Sequence, residues 1–226
     1  HARPTYWDIG HTREKYLHRI SRRKRGEEVA TYLKGSFNAK NRQPDDVCIF
    51  VKPRNLKGVQ DGDWVDLLDE IQLIPALKQR PKIKVIAMSD IHFEYLKKEL
   101  SNKIVYIPHH HINFERQKRK TKNKTLVGGI IGSPSKMIYE VVDKIKAGLS
   151  KVGIEFTICF HAKTREEMVA YYMSIDFLVN WYLDIYERDS FYRHPTKLIN
   201  AASFGIPTLA QPILGYREFE GLYIPI

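Results

Sequence analysis

The sequence predicts an α/β protein built from two parallel-sheet domains that face each other across a cleft. Short runs rich in Val, Ile and Phe alternate with amphipathic stretches, which is the pattern of βαβ units. A basic segment without apolar side chains, Glu115–Thr125, divides the 226 residues almost in half. We therefore predict an N-terminal domain over residues 1–114 and a C-terminal domain over residues 115–226.

Strands and helices are predicted to alternate along the chain. Apolar runs flanked by Pro, Gly or Asp predict strands at Val47–Lys52, Ile83–Met88, Ile104–Ile107, Leu126–Ile131, Gly153–Phe160, Asp176–Asn180 and Pro207–Ala210. Amphipathic periodicity predicts helices at Thr12–Leu33 with an interruption near Gly26, Gly62–Gln79 with a break at Pro75, Ile91–Leu100, Lys136–Lys151, Thr164–Met173 and Pro195–Phe204. Each helix lies between two strands or leads into one, as parallel pairing requires.

The composition excludes a disordered chain and indicates an anionic partner. Hydrophobic residues make up 43% of the chain and aromatic residues 12%, enough to form a core. The net charge of +11 attracts phosphate, nucleic acid or an anionic membrane. For the basic run Arg19–Arg25 we favour the outer face of the first long helix, with a hold on anionic lipid headgroups as the alternative. For residues 116–124 we favour a solvated linker or a membrane-facing patch, with a nucleic-acid arm as the alternative.

Several absences indicate the compartment. No apolar run approaches the ~20 residues of a spanning helix, and the first residues contain no apolar signal-peptide segment. Only Cys48 and Cys159 occur, each inside a strand-like run, so a disulfide framework is not expected. We predict a cytoplasmic protein, with a peripheral contact to an anionic membrane or another polyanion as an alternative.

A glycine turn between a predicted strand and a predicted helix is a candidate phosphate site. The strand Leu126–Ile131 runs directly into Gly132-Ser133-Pro134-Ser135 and a helix that begins at Lys136. Helix starts present unpaired N–H groups and a partial positive charge, and glycine permits a close approach of the ligand. Hydroxyl groups of Ser133 and Ser135 and the ammonium of Lys136 can add contacts. Every βα unit has a turn of this kind, so an ordinary structural turn is the alternative.

A second candidate lies near the C-terminus. The predicted helix starts at Pro195 and ends before Gly205, and a strand follows at Pro207. Lys197 falls in its first turn, where a cation opposes the helix dipole and is stabilised by an anionic partner.

These residues carry a resemblance to a known family. The segment Pro195-Thr-Lys-Leu-Ile-Asn-Ala-Ala-Ser-Phe-Gly-Ile-Pro207 resembles the donor-site motif Pro-x-Lys-Leu-x-Glu-x-x-Ala-x-Gly-x-Pro of GT-B glycosyltransferases. Three further segments are similar to family segments in the same order, namely Ile104–His109, Gly128–Lys136 and Ile175–Asn180. The resemblance implies a compact GT-B fold, in which two Rossmann-like domains face a cleft.

The resemblance also implies an activity. The chain would transfer a hexosyl group from a nucleotide-diphosphate sugar, held by the C-terminal half, to an unidentified acceptor held by the N-terminal half, without a metal or other cofactor. Lys197 and the backbone N–H of Thr196 would contact the diphosphate. Asn200 stands where the family has Glu, and it would bind the donor ribose through its amide. Two alternatives remain open: a basic α/β nucleic-acid-binding protein, although no specific nucleic acid is expected, and a nucleotide-sugar-binding homologue without activity.

The remaining site predictions fall on polar and aromatic residues near these motifs. The segment Trp181–His194 precedes the Lys197 helix, and its candidate donor-binding residues are Tyr186, Arg188, Asp189, Arg193 and His194. Asp8 and His11 are candidate general bases for an inverting mechanism, with capping of a helix by His11-Thr12 as the alternative. His109, His110 and His111 are consecutive, so in an extended chain they do not converge on a metal ion, and we expect a cleft wall or a plain turn there.

Overall fold

The chain divides into two compact units in a computed structural model. The structure describes residues 4–7, 23–37, 41–43, 45–119, 124–132, 136–160, 162, 164–181 and 193–226, with backbone only at 4–7, 23–24 and 136–140. The first unit comprises residues 1–109 together with 192–194, and the second comprises residues 110–191 and 195–226. Each unit contains one parallel sheet with helices, so the protein is α/β and Rossmann-like in general.

The first unit contains a six-stranded sheet in the order β2-β1-β3-β4-β5-β6, with every pair parallel. Its strands are β1 Pro4–Trp7, β2 Ser36–Phe37, β3 Val47–Val51, β4 Trp64–Asp66, β5 Lys84–Ala87 and β6 Ile104–Tyr106. Its helices are α1 Val29–Tyr32, which follows a π-helical turn at Arg23–Glu28, α2 Ile74–Lys78, which follows a 3₁₀ turn at Ile71–Leu73, and α3 Asp90–Glu99.

The second unit contains a five-stranded sheet in the order β11-β10-β9-β7-β8, again with every pair parallel. Its strands are β7 Val127–Ile131, β8 Glu155–Cys159, β9 Phe177–Asn180, β10 Thr208–Ala210 and β11 Ile224–Pro225. Its helices are α4 Lys136–Ser150, α5 Arg165–Ser174 and α6 Thr196–Ser203, and a 3₁₀ turn spans Leu214–Phe219.

Alternating side chains explain why the sheets are covered on both faces. In β3, Cys48 and Phe50 join one apolar cluster of the first unit while Ile49 and Val51 join another. Side chains point to opposite faces at successive strand positions, so a strand that is apolar at both must have a layer on each side. In the second unit α4 packs on one face of the sheet, and α5 and α6 pack on the other.

The predicted helix Gly62–Gln79 is wrong over its first part. Residues 64–66 form β4, which lies between β3 and β5 and buries Val65 completely. Only residues 71–78 are helical, and the chain turns at Gly62 with a φ of 91°. The strand is three residues long and ends on a charged side chain, so its apolar pattern is too short to be distinguished from helical periodicity.

Two predictions about the basic runs need correction where the structure describes them. Arg25 does not lie on an outer helix face: it is buried and forms an ion pair with Asp66. In the predicted linker, residues 115–118 are exposed as expected, but the side chain of Arg119 is largely buried in an ion pair with Asp176, with Nη2 3.1 Å from Oδ1. The second unit accordingly begins at His110, five residues earlier than predicted, and residues 110–119 pack on it.

Neither Cys48 nor Cys159 forms a disulfide. In the described part of the chain, no helix combines the length and the apolar composition that crossing a bilayer requires.

Candidate functional site

The strand order of the second sheet defines where a ligand is expected. The connection from β7 leads outward to β8, whereas the chain then returns past β7 to β9 and continues to β10 and β11. Neighbouring strands β7 and β9 therefore have connections that leave in opposite directions. Open parallel sheets bind ligands in the crevice that this arrangement produces at the carboxyl ends of the two strands.

Close packing explains both glycines of β7, Gly128 and Gly129. A Cβ on Gly128 would stand 2.5 Å from Cζ of Phe177, and one on Gly129 would stand 2.5 Å from the hydroxyl of Tyr171. That hydroxyl lies 3.0 Å from the carbonyl oxygens of both Ile130 and Thr157. In the predicted strand Leu126–Ile131, these two glycines are therefore explained by side-chain packing rather than by a ligand.

Gly132 lies at the crevice itself. It follows β7 directly, its N–H donates to the carbonyl of Cys159 at 3.1 Å, and it is half-buried. A Cβ at this position would stand 3.4 Å from Nζ of Lys197. The structure therefore brings together two residues that the sequence identified separately, 65 positions apart.

Lys197 lies in the first turn of α6, as predicted. The helix begins after Pro195 without a side-chain cap, and no acidic residue occurs in its first turn. The N-terminus of the helix and the ammonium of Lys197 place positive charge at the same end of α6. An anion at the turn after β7 would be stabilised by both, and backbone N–H groups are suited to phosphate oxygens.

A buried pair of polar side chains packs against the N-terminal end of α6. Asn180 is the last residue of β9 and is completely buried, and its side-chain amide donates to the hydroxyl of Tyr216. The ring of Tyr216 packs against Leu198 in the first turn of α6 and against Ala210 at the end of β10. The pair thus ties together three elements at the carboxyl edge of the sheet. Sequence reasoning missed both residues, because an Asn at a strand end and a Tyr in a 3₁₀ turn match no recognised motif.

Asn200, predicted to bind a donor ribose, is a buried residue that connects elements of the second unit. Its Oδ1 accepts a hydrogen bond from the backbone N–H of Ile112 at 3.1 Å, and the hydroxyl of Tyr172 also bonds to it. One turn away along α6, the carbonyl of Ser203 accepts from Nδ2 of Asn113 at 2.7 Å. These contacts attach the segment 110–119 to α6.

The other predicted site residues are distributed between the units or lie outside the described residues. Arg193 and His194 group with the first unit, where the ring of His194 stands 4.7 Å from that of His109. Thr196 begins α6, and Lys136 is the first residue of α4. The predicted site residues Asp8, His11, Ser133, Ser135, Tyr186, Arg188 and Asp189 lie outside the described residues.

One carboxylate pair has the Asp-x-Asp spacing that many metal-dependent transferases use. It is Asp61-Gly62-Asp63, and both carboxylates face cations. Asp63 accepts two hydrogen bonds from Arg42 at 2.7 and 2.8 Å, and Asp61 lies 3.5 Å from Arg80 and 3.7 Å from Lys82. Within the described residues, no three His, Cys, Asp or Glu side chains are grouped so that they could hold a metal ion.

Comparison with protein-family models and with curated proteins finds no match to this chain.

Proposed function

We propose that the second unit binds the diphosphate of a nucleotide sugar at the turn after β7, and that the chain is a GT-B glycosyltransferase. The observation that carries the proposal is the approach of the Lys197 ammonium to Gly132 at the carboxyl edge of the sheet. Positive charge at the start of α6 and a turn without a side chain are what a diphosphate requires. The resemblance of Pro195–Pro207 to the donor-site motif of that family agrees with this assignment.

The proposed catalysis depends on the negative charge of the leaving group. When the glycosidic bond of a nucleotide sugar breaks, negative charge develops on the departing diphosphate. A lysine and a helix N-terminus that are already in place stabilise that charge without reorganisation, and such preorganised electrostatics is commonly the largest contribution to catalysis. In this proposal Lys197 acts on the leaving group. In the GT-B arrangement the first unit binds the acceptor, and Asp8 and His11 are the candidates for removing the proton of its hydroxyl.

Nucleotide-dependent thermal stability tests the proposal. UDP or GDP raises the melting temperature if the second unit holds a nucleotide-diphosphate site, since a ligand that binds only the folded state stabilises it. The expected result is a shift with one of these nucleotides in the wild-type protein and its loss in Lys197→Ala. Lys144→Ala, on α4 of the same unit, is the matched control and retains the shift. Absence of a shift with any nucleoside diphosphate, or a full shift in Lys197→Ala, would overturn the proposal.

A basic nucleic-acid-binding protein is the second candidate, favoured by the +11 net charge. It predicts binding to DNA or RNA that weakens steeply as salt is raised, because condensed counterions are released on binding. Salt-insensitive or absent binding in a filter-binding titration at two salt concentrations rejects it.

A further inference from the structure

The first sheet repeats the connection order of the second. Counted along the chain, the first five strands of each unit follow the order 2-1-3-4-5 across the sheet. The first unit therefore has its own reversal of connections, between β1 and β3, and its own carboxyl edge at which a ligand is expected. This edge contains a set of charged residues that the proposed donor site does not use.

Two adjacent loops at this edge have an uncommon backbone conformation. Lys52 follows β3 and Leu68 lies just after β4, and each has a φ of 50°, which few residues other than glycine adopt. The N–H of Lys52 donates to the carbonyl of Asp66 at 2.8 Å. With this backbone, Nζ of Lys52 lies 2.5 Å from a carboxylate oxygen of Asp69 and 4.0 Å from one of Glu70.

Asp66 is a buried carboxylate, and only one of its two oxygens has a hydrogen-bond partner within the described residues. It is the last residue of β4 and is 2% exposed, and its Oδ2 pairs with Nε of Arg25. The remaining nitrogens of Arg25 donate to the carbonyls of Ile107 and Pro108 at 3.0 and 3.1 Å. Oδ1 of Asp66 is buried and accepts no hydrogen bond within the described part of the chain. A buried acceptor without a donor calls for a ligand or a bound water.

The balance of charges defines the class of ligand. At the accessible part of this edge two carboxylates, of Asp69 and Glu70, face the single cation of Lys52. Burial raises the pKa of the deeper Asp66, although the charge and hydrogen bond of Arg25 oppose that effect. Although burial raises the pKa of Asp69, the hydrogen bond and charge of Lys52, together with the charge of His194, outweigh it and hold that pKa below its usual value, so Asp69 is an ionised acceptor at neutral pH. Such a set repels an anion and accepts hydrogen bonds from neutral donors.

We propose that the carboxyl edge of the first sheet binds the hydroxyl groups of a saccharide, with Asp69 and Glu70 as the accessible acceptors and Asp66 as the deepest one. The ligand is uncharged, in contrast to the diphosphate proposed for the second unit. In the proposed glycosyl transfer, this saccharide would be the acceptor. Only its role as an acceptor rests on the proposed function, whereas its binding to the first unit does not.

Saturation-transfer NMR on the full chain tests the proposal. The probes are the methyl glycosides of glucose, mannose, galactose and N-acetylglucosamine, with glycerol and inorganic phosphate as separate samples. At least one glycoside is expected to bind, more tightly than glycerol and without competition from phosphate. Asp69→Asn and Glu70→Gln are each expected to raise its Kd about tenfold or more, because a hydrogen bond to a charged group is lost.

Glu99→Gln is the matched control. Glu99 is also a glutamate paired with a lysine, with an oxygen 2.7 Å from Nζ of Lys78, but it lies at the end of α3 and hence at the amino edge of the same sheet. Its Kd for the glycoside is expected to equal that of the wild type. Binding of none of the glycosides, equal binding of glycerol, competition by phosphate, or a Kd unchanged in both test variants would overturn the proposal.

Adding UDP or GDP to the same samples distinguishes the failure of the proposed saccharide site from the failure of the proposed donor site. Glycoside binding in a protein that UDP and GDP do not stabilise supports the saccharide site and contradicts the proposed transfer. Nucleotide stabilisation without glycoside binding contradicts the saccharide site alone.

Discussion

The ammonium of Lys197 lies so close to Gly132 that a methyl group on the glycine would meet it at van der Waals distance, 3.4 Å from Nζ. Lys197 belongs to the helix that follows β9, and Gly132 belongs to the turn that follows β7. The two residues therefore lie on the two sides of the point, between β7 and β9, where the connections of the second sheet reverse direction. The proposed diphosphate would lie beside both residues, within reach of the ammonium and of the turn.

Gly132→Ala is expected to reduce nucleotide affinity without unfolding the protein. The φ of Gly132 is not positive, and 3.4 Å is an ordinary contact distance, so the added methyl group fits the free protein. It would occupy space that a phosphate needs, and we expect the Kd for UDP or GDP to rise about tenfold or more. Calorimetric titration measures the change. Gly148→Ala, on an exposed part of α4 with no atom near its Cβ, should leave the Kd unchanged and raise the free energy of unfolding by up to about 1 kcal/mol.

Tyr216→Phe is expected to destabilise the second unit. The substitution keeps the ring that packs on Leu198 and removes only the hydroxyl that Asn180 requires. A buried amide without its partner lowers the free energy of unfolding by about 1–3 kcal/mol. Urea unfolding checks this value. Tyr223→Phe serves as the control, since its ring meets that of Tyr216 edge-on at 6.0 Å and its side chain is partly exposed. Equal stability of Tyr216→Phe and the wild type would contradict the role of the hydroxyl.

Gly128→Ala is expected to be more damaging than Gly132→Ala. Its Cβ would stand 2.5 Å from Cζ of Phe177 and 3.0 Å from Cδ2 of Phe156, and both rings are held in the core. Overpacking of this kind destabilises by about 1–3 kcal/mol. Thermal unfolding compares the two alanine variants. If Gly128→Ala melts at the wild-type temperature, the close packing between β7 and the ring of Phe177 is not present.

The predictable part of this fold comes from local pattern, and the unpredictable part comes from partners distant in sequence. Strands β3 and β7 are continuous apolar runs, and β9 is apolar up to its last residue. Helices α3 and α5 are preceded by the N-cap residues Ser89 and Thr164, whose hydroxyls accept from backbone N–H groups three residues later. These features can be read from a few neighbouring residues. By contrast, β4 ends on Asp66, whose charge is neutralised by Arg25, 41 positions earlier.

The same distinction applies to the candidate site. Lys197 could be identified because a cation in the first turn of a helix is locally unfavourable and indicates an anionic partner. Asn200 stood in the same motif, yet its Oδ1 accepts a hydrogen bond from the backbone N–H of Ile112, which lies 88 positions earlier in the chain. The pair of Asn180 and Tyr216 could not be predicted, since neither residue is unusual until the fold places the hydroxyl beside the amide.

The buried ion pair of Arg25 and Asp66 is expected to show strong coupling in a double-mutant cycle. Arg25→Met leaves a buried carboxylate without its cation, and Asp66→Leu leaves a buried guanidinium without its anion, so each should destabilise by about 3–5 kcal/mol. The double variant removes both charges and should destabilise by much less than the sum. Urea unfolding at neutral pH gives the three values. Additive effects would show that the pair is not formed in solution.

His92 is expected to make stability depend on pH below neutrality. Burial, assisted by the positive charge of Arg25, lowers the pKa of His92 from 6.5 to about 4. Between these two values the unfolded chain binds a proton that the folded chain does not, so stability falls as pH decreases from about 6.5 to 4. The loss attributable to His92 amounts to about 3 kcal/mol at most. In His92→Gln the free energy of unfolding, measured by urea denaturation between neutral pH and about pH 4, should decrease less steeply than in the wild type. Equal slopes for His92→Gln and the wild type would contradict a neutral, buried His92.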